Sequence, residues 1–173
     1  MAVLVTDCLM EMQTLCQWEG RMYCITLWEP WASLIAQDVK HWETRGWEYP
    51  KRYHLDRIAI HAAKRWKKDQ RRATFEFIRA GLLDWPLYAS NLGWEPPTLG
   101  KVLCSVTLTG QQPTEHCRAR WAEDNEEFHL GDYGPRRFAW HLGNLRTLDK
   151  PFPAVGRQGF WKLSGDELLK LKQ

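Results

Sequence analysis

Trp28-Glu29-Pro30-Trp31-Ala32-Ser33-Leu34-Ile35-Ala36-Gln37-Asp38-Val39-Lys40-His41-Trp42-Glu43-Thr44-Arg45 changes its hydrophobic period part-way along. Trp31, Leu34 and Ile35 stand at i, i+3 and i+4, the spacing of one apolar helix face. Pro30 suits the first turn of that helix, where its missing donor costs nothing. From Lys40 onward the period is two, which puts His41, Glu43 and Arg45 on one strand face and Lys40, Trp42 and Thr44 on the other. Just upstream, Ile25 and Leu27 alternate with Cys24 and Thr26, predicting a half-buried strand over Tyr23 to Leu27. The stretch is therefore read as the end of one strand, a short helix and a new strand. A Glu and an Arg two residues apart on one face can hold each other's charge and still keep hydrogen-bonding capacity. Lys40, at the helix-to-strand junction, can swing an ammonium over the same place. On these residues alone, an ordinary surface pair of little energetic worth is the simpler reading.

Longer spacings add to this. Trp28-x-Pro30-Trp31-Ala32-Ser33-Leu34-Ile35 is followed by Lys40, Glu43 and Arg45, and then, after a loop, by Ile60-His61-Ala62-Ala63-Lys64. This pattern resembles the signature of the ASCH domain, a branch of the PUA-like β-barrel superfold, in which Gly-x-Lys-x-x-Glu-x-Arg precedes such an Ile-His-Ala-Ala-Lys run. Gly131-Asp132-Tyr133 with Arg136-Arg137-Phe138-Ala139-Trp140 is similar to the family's closing strand, and Gly159-Phe160-Trp161 to its terminal one. The resemblance runs from about Tyr23 to Trp161. It departs at Asp38, where the family has Gly, and Asp tolerates a left-handed turn less freely.

The chain has 173 residues, 24 Lys and Arg against 21 Asp and Glu, and a net charge of +3. One domain with a core that needs no covalent staples is expected, and a polyanionic partner is permitted without being demanded. The folded domain is expected over residues 22–173. Residues 1–21 are expected to be an extension, weakly helical through Leu9, Met12 and Leu15 or disordered. Eleven tryptophans supply core volume and flat faces on which bases can stack. Cys8, Cys16, Cys24, Cys104 and Cys117 form no Cys-x-x-Cys pair and no zinc-ligand spacing, so free thiols in a cytoplasmic protein are expected, with no metal site and no cofactor. No membrane span or secretory signal is read. Phosphate loops, nucleophile elbows and His-Glu-x-x-His helices are missing from the sequence.

Further along, Arg57 to Ala62 alternates as a strand, and Lys101 to Thr109 does so strictly through Val102, Cys104, Val106 and Leu108. Lys64 to Ala80 reads as a helix with Trp66, Ala73, Phe77 and Ala80 on one side. Lys64, Lys67, Lys68, Arg71 and Arg72 gather opposite as a basic face, diluted only by Asp69 and Glu76. This is either a solvated surface or a grip on phosphates. The 81–100 segment is a loop; 111–129, with its acidic run Glu123-Asp124-Asn125-Glu126-Glu127, is irregular or helical. Phe138 to Leu145 and Gly159 to Leu163 supply the last strands, and Ser164 caps a terminal helix.

The fold expected is α+β: a small PUA-like β-barrel of about five to six strands flanked by helices. The resemblance implies a cleft where the strand carrying Lys40, Glu43 and Arg45 meets the first helix, with Trp28 and Trp31 beside it. Tyr133 and Arg137 come from the closing segment. His61 is open to two readings, a satisfied structural group or a ligand-orienting one. Such a cleft suits a base: Glu accepts from an exocyclic amine, Arg donates to a carbonyl or phosphate, and an indole stacks. RNA or a modified nucleotide is the implied partner. A hydrolase acting on RNA or on an acylated nucleoside is the alternative, with Lys40, Glu43 and Arg45 as its catalytic set. Amidohydrolases of similar fold use a Lys with a Thr three residues on. Glu43 holds that position here, so the expected nucleophile is replaced.

Overall fold

The alternating stretches of the sequence become neighbouring strands of one sheet in the computed structural model, which describes residues 21–84, 96–122 and 125–171. The strands are β1 (Tyr23–Leu27), β2 (Trp42–Arg45), β3 (Arg57–Ala62), β4 (Lys101–Pro113), β5 (Phe138–Pro153) and β6 (Trp161–Lys162), in the order β2-β5-β4-β3-β1-β6. β1 and β3 run parallel, with Tyr23 opposite Ile58 and Leu27 opposite Ala62; the other neighbours are antiparallel. A parallel pair needs a long crossover. Here it contains α1 (Trp31–Ala36), β2 and a 3-10 turn at Lys51–Tyr53. Helices α2 (Lys68–Arg79), α3 (Thr114–Arg120) and α4 (Gly165–Lys170) complete an α+β fold. The proposed extension lies outside the described residues except for Arg21.

The expected barrel is not closed. β2 and β6 are the two ends of the ladder, and no strand pairing joins them among the described residues. Register shifts at three places along the β4–β5 pair coil the two long strands around the core, as bulges do. Two-residue β6 offers little ladder to close with, and the outer edge of β2 is occupied by side chains, as described below.

Both faces of the central strands are buried, not one. Ile25, Leu27, Ile58, Ile60 and Leu103 meet Ala32 and Ile35 of α1 on one side. Cys24, Ala59, Val102, Phe152 and Trp161 meet Leu168 of α4 on the other. Ser164 caps α4 by accepting from Glu167 N at 3.3 Å, as the sequence predicts. The turn after α1 has a left-handed backbone at Asp38, φ 61°. A non-glycine residue there carries strain of about 1 kcal/mol.

α2 starts later than expected, so Lys64 and Trp66 precede it, and its buried stripe is Gln70, Thr74 and Ile78, with Phe77 partly buried beside it. Hydrophobic spacing missed this because two of the three are polar. They can be buried because Gln70 Oε1 accepts from Lys67 N at 2.7 Å and Thr74 Oγ1 donates to Gln70 O at 2.8 Å. β4 and β5 run past their predicted ends, since Gln111 and Gln112 pair with Trp140 and Ala139 and Gln111 bonds both backbone groups of Tyr49.

Glu29 ties α1 to the β1 end. It is fully buried, and its carboxylate accepts from Ser33 N at 3.1 Å and Ser33 Oγ at 3.0 Å. Burial pushes its carboxyl above the ordinary value, and the Ser33 hydrogen bonds only partly offset this. The folded state therefore holds its proton more tightly than the unfolded chain, so this contribution is full below the unfolded value and is lost as pH rises through the folded one. Glu29→Gln should raise the Tm at about pH 8 and lose that advantage near about pH 3, below the unfolded value, where both states are protonated. Thermal melts at the two pH values check this; an equal effect at both would contradict it.

Candidate functional site

The site is built along the free edge of β2. In the β2–β5 pair, His41 O accepts from Leu142 N at 2.9 Å, which sets the alternation of the ladder. Glu43 and Arg45 turn their backbone groups toward β5, and Trp42 and Thr44 turn theirs outward. The two outward carbonyls are taken by cations. Lys40 Nζ donates to Trp42 O, and Arg137 Nη2 donates to Thr44 O at 3.1 Å. Arg137 is held in turn by Asp132, through Nε to the backbone carbonyl at 2.9 Å and to the carboxylate at 3.4 Å.

A cavity of about 520 Å³ opens beside this edge, within the size range of ligand sites. Its walls are residues 26–28 and Trp31 from the β1–α1 corner, Lys40 and residues 43–47 from β2 and its exit, and residues 129–132 with Arg137 from the approach to β5. Trp28 and Trp47 stand at its rim, 40% and 38% exposed. Thr44 lines the cavity together with Glu43 and Arg45, although strand alternation assigns them to opposite faces. A cavity that wraps an edge collects residues from both.

Glu43 sits between two cations, with Oε2 4.0 Å from Lys40 Nζ and Oε1 2.9 Å from Arg45 Nε. The Arg45 Nε contact is a charge contact without hydrogen-bond alignment. Arg45 Nη2 donates to Thr26 O at 3.2 Å, which braces the guanidinium against β1. Lys40 is buried, and desolvation pulls its ammonium below the ordinary lysine value. Glu43 and Glu127 counter that pull and Arg45 adds to it. The loop can pass this close to Lys40 because residue 131 is glycine. A Cβ there would lie 3.1 Å from Tyr133 Cε2 and 3.2 Å from both Lys40 Nζ and Thr44 Oγ1.

Trp28, Trp31, Lys40, Glu43, Arg45 and Arg137 of the predicted set thus meet at one cavity. Tyr133 is buried behind Gly131, and burial raises its hydroxyl pKa with help from Glu127. His61 does not line the cavity. It lies beneath the 154–156 segment, with Nε2 3.2 Å from Ala154 O and its ring edge-on to Trp161 at 5.6 Å. Gly156 passes so near that a Cβ would come within 2.4 Å of the imidazole. Lys67 occupies the N-cap position of α2, where its N–H donates to Gln70 Oε1, and holds its ammonium 5.1 Å over the Trp28 ring, at the cavity mouth. Lys68, Arg71 and Arg72 are exposed along α2, and Lys64 packs under Gly100 ahead of it.

Sequence reasoning missed Glu127. It sits on a 3-10 turn at Glu126–His129, where Oε1 accepts from His41 N at 2.5 Å and lies 3.2 Å from His41 Nδ1. Its Oε2 accepts from Tyr133 OH at 3.5 Å. The contact fastens the cavity's far wall to β2. An acidic run in a loop reads as solvated surface, and nothing local marks one of its members as buried in a network.

Two crystal structures from Zymomonas mobilis share this architecture. One is of an ASCH protein, 17% identical, covering 89% of this chain and 95% of that one, with a TM-score of 0.51. The other is of a point mutant of the Zymomonas ASCH protein, 15% identical, covering 87% and 96%, with a TM-score of 0.50. The chain has an ASCH-like fold. At such identities the likeness concerns the fold alone. No family model matches the chain. No curated protein matches it significantly. Among the described residues, no cluster of His, Cys, Asp and Glu is arranged to hold a metal ion, and no helix is long and apolar enough to cross a membrane.

A buried ammonium beside a nearly buried carboxylate is expensive to keep, and replacing both with neutral groups of similar size is often neutral or stabilising. The double variant Lys40→Met with Glu43→Gln also leaves the Trp42 carbonyl without its donor and Arg45 without its counter-charge, so at neutral pH it should lose no more than about 1 to 3 kcal/mol, the cost of an unmet buried group. Calorimetry checks this. A larger loss would show that the charges are there to hold the fold.

Proposed function

We propose that this ASCH-like domain binds RNA or a modified nucleotide, placing a base in the cavity along β2. One observation carries the reading: Glu43 and Arg45, an acceptor beside a donor, face a cavity of about 520 Å³ whose rim is formed by the part-exposed indoles Trp28 and Trp47. A carboxylate paired this way still has lone pairs for an exocyclic amine, the guanidinium has donors for a ring carbonyl, and either indole can cover the ring face. The exposed row Lys67, Lys68, Arg71 and Arg72 supports a backbone grip beyond the mouth, since neither Asp69 nor Glu76 of α2 lies in an ion pair with it. The free, buried thiols of Cys24, Cys104 and Cys117 suit the reducing cytoplasm.

A hydrolase reading has its own support in Lys40. An ammonium whose pKa is lowered by burial and that lies within reach of Glu43 has the properties of a proton-transfer group. On that reading the substrate is RNA or an acylated nucleoside, and Lys40 or Glu43 activates water.

Glu43→Gln separates the two. It preserves size and one acceptor and removes the charge. In a binder it should weaken nucleotide or RNA affinity by about 1 to 3 kcal/mol, the worth of one good base contact, with no product formed by either chain. In a hydrolase it should lower turnover by roughly two to four orders of magnitude while the ligand still binds. Calorimetric titration and product analysis, run on a panel of acylated and methylated nucleosides plus short RNAs, read both. Unchanged binding and no turnover throughout would exclude a base site here.

A further inference from the structure

We propose that the cavity is one station on a longer track, and that a second nucleotide stacks on an aromatic strip formed by Trp47, Phe160 and Tyr23, backed by Tyr53 and held by Arg52 and Lys162. This rests on the nucleic-acid reading above. It sharpens the ligand class to a single strand of several nucleotides, as opposed to a free nucleoside.

Trp47 belongs to both places. It lines the cavity, and its ring stands edge-on to Phe160 at 5.8 Å. Phe160 meets Tyr23 edge-on at 6.4 Å, and buried Tyr53 packs behind both, 4.3 Å from Phe160 and 4.7 Å from Tyr23. Trp47, Phe160 and Tyr23 all keep surface in solvent, while Trp140, Tyr49 and Tyr53 are buried behind them as a rigid backing. A continuous row of rings that leaves the mouth of a base-sized cavity is what a stacked strand needs, because every base has a π-face.

Charge decides the kind of partner. Arg52 lies 4.8 Å over the Tyr53 ring and donates from Nη2 to Tyr53 OH at 3.1 Å, and Lys162 lies 5.6 Å over Tyr23. Both cations are exposed, and neither has a carboxylate within 4.0 Å among the described residues. An apolar protein partner would have to bury these unpaired charges. A polyanion would neutralise them while its bases met the rings and the guanidinium plane. Across the cavity, Lys67 over Trp28 repeats the pairing of cation and ring, so a strand passing through the cavity meets matching contacts on both sides.

The test is affinity against ligand length, measured with the full chain and labelled mononucleotide, trinucleotide and hexanucleotide, beside the double variant Arg52→Gln with Lys162→Gln. Both changes are on exposed side chains, so the fold is retained. Affinity should rise with length in the parent chain. The double variant should bind the mononucleotide as before but the hexanucleotide about ten- to hundred-fold more weakly, with a salt dependence flatter by roughly 1.4 in log–log slope for two lost single-strand contacts. A mononucleotide that binds as tightly as the hexanucleotide would overturn the strip and leave the cavity reading intact. So would a double variant with unchanged hexanucleotide affinity, or a polyglutamate of equal charge that displaces the hexanucleotide as well as unlabelled hexanucleotide does. If none of the three nucleotide ligands binds the parent chain, both readings fall.

Discussion

The outer edge of β2 is the constraint on which the site depends. A strand with one neighbour leaves every second N–H and C=O without a ladder partner, and those groups must find another partner or water. Here the outward carbonyls of Trp42 and Thr44 are met by Lys40 and Arg137. Side chains cannot follow the edge as closely as another strand would, so a cavity is left beside it. Its polar lining follows from the same cause. The cations that satisfy the edge need counter-charges, and Glu43 and Asp132 supply them from β2 and the loop before β5.

That arrangement concentrates cost in a small volume. Lys40 is removed from water, Glu43 nearly so, and the loop passes so close at Gly131 that a side chain there would crowd both Lys40 and Thr44. Ordinary cores do not place an ammonium where leucine would fit, and such violations of local economy gather at functional sites. Glu127 adds to the pattern from a third element, binding His41 and Tyr133 and so fixing the wall that faces β2.

Period-two alternation in β1, β3 and β4 and the Ser164 cap were legible because they are local and repeat. Lys40, Glu43 and Arg45 were legible as a group for another reason: their spacing resembles a known signature. Residue 38 departs from that signature, and its backbone is left-handed, a turn that a glycine would take without strain. The features that could not be read depend on contacts distant in sequence. Glu127 reaches His41 from 86 residues away. Gln70 and Thr74 escaped for a different reason: they are polar, and only their local hydrogen bonds let them replace the apolar residues that a helix stripe is read from. Closure of the sheet was also beyond the sequence, which marks strands without saying what lies against their edges. His61 shows the converse case. Its position in a recognisable run gave it two readings; the fold places it beneath Ala154 and Gly156, away from the cavity, with Nδ1 buried and unpartnered.

The central claim is that the cavity along β2 receives a base. A backbone amide NMR titration of the full chain with a nucleoside monophosphate tests it most directly, because it reports where the ligand sits whether or not any reaction follows. The expected result is saturable shifts centred on residues 43–47 and 129–132, with the indole signals of Trp28 and Trp47 moving in step. Shifts confined to α2, or none at all with either a purine or a pyrimidine, would contradict it.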